Sequence, residues 1–173
     1  MPVSNLVAML AYMLIAQAPS DAAVACASAN LTDADKSAVA RSMIDNADTP
    51  QLERIAAQVE ACLRPTGADR EAGRALMIFV VAQAAGEGMA PMLTAQGIEP
   101  VLIDRWFAAQ PEEARTSLPD EAAGERIVRG LIAAGVPTEV AIANGTLIGN
   151  YIATLILREQ VRVGHPPAEG REP

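Results

Sequence analysis

Between Thr32 and Val163 the apolar positions recur three and four residues apart, and nowhere do they alternate with polar ones. That period lays them along one side of a helix and leaves no strand with a face to bury. The first segment, Asp33 to Ala47, opens at Thr32 or Asp33, residue types that accept hydrogen bonds from a helix's first free amides. Thr49-Pro50 predicts a cap and a first-turn proline for a second helix ending near Leu63. Its apolar side carries Leu52, Ile55, Ala56, Val59, Cys62 and Leu63.

"RPTGAD" at 64–69 breaks the pattern. The helix that follows, Asp69 to about Gln83, is charged at its start and apolar nearly all round from Ala75, as a central helix surrounded by others must be. "GEGMAP" at 86–91 reads as a turn, followed by a short helix over Met92–Ala95 that Gly97 stops. "VLIDRWFAA" forms another short helix between Pro100 and Pro111. Leu118-Pro119-Asp120 starts the next, with Ile127, Val128, Leu131 and Ile132 inward, and Gly135 and Pro137 end it. Thr138 is expected to cap a last helix running to about Val163, and the polar, proline-rich stretch at 164–173 is expected to be disordered. The expectation is an all-α fold: an irregular antiparallel bundle of six or seven helices, forming one domain over residues 26–163.

Composition agrees with this. Hydrophobic residues make up 51% of the 173 positions, too many for a disordered chain, and alanine dominates them, which favours helix. The net charge is −8, and no basic residue precedes Lys36. A chain so acidic lacks the positive surface that nucleic acid requires, and it gains nothing from anionic lipid headgroups.

The N-terminus points to export. Leu6 to Ala16 is an unbroken apolar run, too short to span a membrane and followed by the small-x-small triplet Ala16-Gln17-Ala18. Residues 1–25 therefore read as a signal peptide, cut after Ala18 or, since Pro19 would adjoin that bond, after Ala23 or Ala25. The stretch before the run has no Lys or Arg, and a buried or membrane-attached N-terminal helix is the competing reading.

Export bears on the two cysteines. "AVAC" at 23–26 resembles the lipobox of bacterial lipoproteins, which implies a lipidated Cys26. The other reading is a disulfide. Helices over 33–47 and 50–63 have nearly equal length, about 21 Å, and so short a link forces them antiparallel. The end of the second then returns beside the start of the first, bringing Cys62 next to the segment that carries Cys26. An oxidising compartment would join them, stabilising the fold by about 4 kcal/mol on the chain-entropy account.

Catalytic chemistry has few seats. His165 is the only histidine and lies in the terminal stretch, which excludes triad catalysis and histidine-based metal sites. No nucleotide-binding or zinc-protease motif occurs, so no cofactor and no metal is expected. Carboxylates remain. Glu87, between two glycines at a helix end, and Asp104, beside Arg105 and Trp106, are the candidates for acid–base hydrolysis, although each reads more simply as a solvated surface residue. The acidic stretch at 111–126 lacks the ligand spacing of a calcium loop.

The last helix has two features of its own. Val140 to Leu157 is free of charge, with Arg158 and Arg162 just beyond, which makes it a candidate membrane span despite Asn144, Thr146, Asn150 and Thr154. Ala141, Gly145, Gly149 and Ala153 form a stripe of small residues, suited to a tight crossing with the helix at 69–85 or to a homodimer. The expected function is that of an exported helical protein acting by protein–protein binding or self-association. The alternatives are a carboxylate-dependent hydrolase of the cell envelope and a protein anchored in the membrane by its last helix.

Overall fold

The computed structural model describes residues 18–66, 69–117 and 121–164, so the apolar run at 6–16, His165 and the rest of the terminal stretch lie outside it. The described residues form helices and no strands. In chain order the helices are α1 (Asp21–Ser28), α2 (Asp33–Asp45), α3 (Pro50–Leu63), α4 (Arg70–Ala95), α5 (Pro100–Ala108), α6 (Glu112–Thr116), α7 (Glu121–Ala133), α8 (Thr138–Ala143) and α9 (Gly145–Arg162). The all-α expectation is met, with more and shorter pieces than the sequence pattern implies.

The α2–α3 hairpin forms where expected. The Asp35 backbone amide donates to Thr32 Oγ1 at 3.2 Å, while the Thr32 amide donates to Asp35 Oδ2 at 3.1 Å, so two orphan donors are satisfied reciprocally. Asp35 is buried and takes an ion pair from Arg54 of α3, which ties the two helices together. Cys26 and Cys62 are joined in a disulfide with their Cα atoms 6.0 Å apart, as the hairpin geometry predicts. Cys26 belongs to a helix of its own, α1, opened by the Ser20 cap. Its sulfur is bonded to Cys62, leaving no thiol to acylate, so the lipoprotein reading of "AVAC" does not hold.

The central helix departs most from expectation. α4 runs unbroken through "GEGMAP", about 39 Å in all, with Pro91 inside it. A proline in a helix removes one hydrogen bond and crowds the preceding turn. Here its ring lies on the exposed side, and Met89 and Leu93 on either side of it are fully buried, so packing holds the helix together. The two glycines serve contact rather than turning. A methyl group at Gly86 would stand 3.0 Å from Thr154 Oγ1 of α9. One at Gly88 would run into the Lys36 carbonyl of α2 and lie 2.9 Å from Ala40 Cβ. Residues two apart point to nearly opposite sides of a helix, so α4 is gripped by α9 at Gly86 and by α2 at Gly88. Leu76, Val80, Met89 and Leu93 of α4 form the core with Val39, Ile55, Ile103, Leu131, Ile148, Ile152 and Ile156. Among the described residues α4 alone is long and apolar enough to cross a membrane, and half of its apolar window is buried inside the fold.

The expected last helix is two helices. The side-chain amide of Asn144 donates to the Val140 carbonyl at 3.0 Å, and the chain breaks between α8 and α9 at that residue. Thr138 is the first residue of α8 rather than its cap, which is Pro137. The charge-free run at 140–157 is therefore not one continuous helix, which removes the geometric basis for a single span there. The predicted stops at Gly97 and Gly135 are present, both in the left-handed region that glycine tolerates, with φ of 77° and 107°.

Candidate functional site

One face of α9 carries Tyr151, Leu155, Arg158 and Arg162, spaced by four, three and four residues. α4 brings Phe79 to this face, and α5 brings Asp104 and Phe107. Together with Glu159 these residues line a cavity of about 330 Å³. Phe107 is buried and Asp104, one turn before it on the same side of α5, is exposed; both line the cavity.

Each polar group has a defined setting. The Tyr151 hydroxyl donates to Asp104 Oδ1 at 3.0 Å. Burial drives the phenol pKa above its ordinary value, the Asp104 charge adds to that, and Arg158 opposes it more weakly. Tyr151 thus stays a neutral donor well into the alkaline range. Glu159 is buried and receives Arg162 Nε and Nη2 at 2.7 and 2.8 Å, together with Arg115 of α6. The hydrogen bond from Arg162 is the largest effect on its pKa and outweighs burial, so Glu159 is held ionised. Gln160 Nε2 adds a bond to the Thr116 carbonyl at 2.6 Å, and these contacts fasten α6 to α9.

Arg158 is different. Its guanidinium lies over the Phe79 ring, 5.6 Å from the centroid. Its Nε is buried with no hydrogen-bond partner among the described residues. Phe79 and Arg162 also border a second cavity of about 480 Å³, walled on its far side by α1 and by Pro19.

Of the two carboxylates that the sequence singled out, Asp104 lies in the first cavity and Glu87 is not among its lining residues. Glu87 sits in mid-helix rather than in a turn, 2.8 Å from Lys36 Nζ and accepting from Gln83 Nε2 at 2.8 Å. Burial raises its pKa, but the hydrogen bonds from Lys36 and Gln83 outweigh that, and the result lies below the usual carboxylate value. The small-residue stripe is divided. Ala141 is buried in α8 and Ala153 is half-buried in α9, whereas a Cβ added at Gly145 or Gly149 of α9 would meet nothing within 4 Å. The tight crossing with α4 is made by Gly86 instead.

Sequence reasoning did not assign Tyr151, Phe79, Glu159 or Arg115 to a site, and noted Arg158 and Arg162 only as the charges beside a candidate span that it did not favour. The available signal was the one-face spacing from Tyr151 to Arg162, with two cations on a stripe that elsewhere faces inward. No group of three or more potential metal ligands occurs among the described residues. Comparison with protein families, with curated proteins and with solved structures finds no match to this chain.

Proposed function

We propose that this chain is an exported helical protein that acts by binding. The observation that carries the reading is the Cys26–Cys62 disulfide, a linkage that persists in oxidising compartments and is rare where thiols are kept reduced. It agrees with the signal-peptide pattern of residues 1–25. Cleavage after Ala18 leaves α1 and its Ser20 cap whole, whereas a cut after Ala23 or Ala25 removes the first turn of α1. The intact cap therefore favours the cut after Ala18 and the proline beside that bond opposes it, so the mature chain begins between Pro19 and Cys26. Binding is preferred to hydrolysis because the two candidate carboxylates are not brought together: Asp104 lines the cavity, whereas Glu87 is not among its lining residues and is paired with Lys36.

Fractionation of the native host, with the N-terminus of the recovered protein sequenced, tests this. The reading expects a chain beginning between Pro19 and Cys26 in the periplasmic or culture fraction. A full-length chain confined to the cytoplasm overturns it.

Self-association is a second reading, favoured by Gly145 and Gly149 facing open space near Ile142, which is 68% exposed. A Cβ added at Gly149 meets nothing within 4 Å, so Gly149→Leu starts outward from the fold and should change the mass in solution by sedimentation, with circular dichroism checking that the monomer is folded. An unchanged mass removes this reading.

A further inference from the structure

We propose that the cavity between α4, α5 and α9 is a binding site for a small monocarboxylate with an apolar body, whose carboxylate is received by Arg158. The proposal rests on reading the chain as a binding protein and names the chemistry of its ligand. A guanidinium whose Nε is withdrawn from water loses hydration that only an acceptor restores. Arg158 meets the Phe79 ring instead, which attracts the cation but accepts none of its in-plane hydrogen bonds. The neighbouring cations are committed, because Arg115 and Arg162 both pair with Glu159. Arg158 is thus the lining cation left to bind a ligand, and its planar fork matches a carboxylate.

The surroundings narrow the class. Glu159 is compensated by its two arginines, which leaves Asp104 and Arg158 as the lining charges not paired with it, so a dianion such as a phosphate monoester would bring a second negative charge against a single cation beside Asp104. Phe79, Phe107 and Leu155 offer apolar walls for the body of the ligand. A volume of 330 Å³ lies at the small end of ligand pockets, enough for about ten heavy atoms in contact with those walls.

Phenylacetate is the probe, with 2-phenylethanol as its neutral counterpart and phenyl phosphate as the dianion. Titration of the disulfide-bonded protein is followed by NMR at Phe79, Phe107, Leu155 and Tyr151, with affinity by calorimetry. The site predicts saturable shifts at those residues with phenylacetate, a Kd of about 1 mM or tighter, and binding at least about tenfold weaker for both analogues. Arg158→Gln should weaken phenylacetate at least about tenfold, and Arg158→Lys, which keeps the charge without the fork, should weaken it less. Should Arg158→Gln fail to fold, the comparison of phenylacetate with 2-phenylethanol on the unaltered protein decides alone. Absence of saturable shifts, equal affinity for the neutral analogue, or equal affinity in a folded Arg158→Gln protein each overturns the proposal. Failure of the probe in a protein recovered outside the cytoplasm removes the ligand class and leaves export standing.

Discussion

Replacing Gly88 by alanine should destabilise the protein, although alanine is the better helix former. In an unobstructed helix the exchange gains up to about 1 kcal/mol. At Gly88 the new methyl would collide with the Lys36 carbonyl and crowd Ala40 Cβ at 2.9 Å. Neither neighbour can escape by rotating a side chain, because one is backbone and the other is a methyl attached directly to it. α2 must therefore move off α4, at the upper end of the cost typical of overpacking, about 3 kcal/mol. With the helix-propensity gain set against it, the net loss should be about 2 kcal/mol, or about 4–8 °C in Tm for a chain of this size. Gly149→Ala is the internal control, since nothing lies within 4 Å of the added methyl. It should stabilise by up to about 1 kcal/mol. Urea unfolding followed by far-UV circular dichroism, with the disulfide intact in all three proteins, measures both. Equal or greater stability in Gly88→Ala would refute the crossing of α2 and α4 at this position.

Replacing Cys26 and Cys62 together by serine opens a crosslink between positions 36 apart and should cost about 4 kcal/mol in urea unfolding. Glu159 and Asp35 have folded pKa values below their unfolded ones, so their contributions are complete above the ordinary carboxylate range of about 4 and fade as pH falls through the folded values. Stability should drop on acidification through that window, and Glu159→Gln, less stable at neutral pH, should show a shallower acid limb in a pH series of urea midpoints. Tyr151 has the opposite sign: its folded pKa is raised, so its contribution is complete below about 10 and is lost above it. The Cζ resonance of Tyr151 should stay that of the neutral phenol through pH 10, and Asp104→Asn should bring its titration down.

The parts of the fold that were legible in the sequence are those set by neighbours along the chain. The 33–47 and 50–63 segments, their short link and the return of Cys62 to Cys26 follow from periodicity, capping residues and chain length, and the disulfide is where that reasoning puts it. The unbroken α4 was not legible, because Gly86, Gly88 and Pro91 satisfy turn chemistry locally. The reason for the two glycines lies in Thr154 and Lys36, distant in sequence. The break at Asn144 was not legible either: Asn150 makes the same side-chain bond to the carbonyl four residues before it inside unbroken α9, so neither the residue type nor that bond marks the break. The candidate site shows the same division. Asp104 stood out from its immediate neighbours, but its partner Tyr151 is 47 positions away, and Arg115 reaches Glu159 across 44. Pairings of that range are set by how α5, α6 and α9 stack, for which the local pattern carries no signal.

The Cys26–Cys62 disulfide staples α1 to α3, a linkage that oxidising compartments sustain. Its most direct test is a peptide map of the protein isolated from its native host, alkylated before any reduction and then digested. The account predicts a linked pair of peptides containing Cys26 and Cys62, which separates only on reduction, and no alkylation at either residue beforehand. Alkylated Cys26 and Cys62 in the unreduced protein would contradict it.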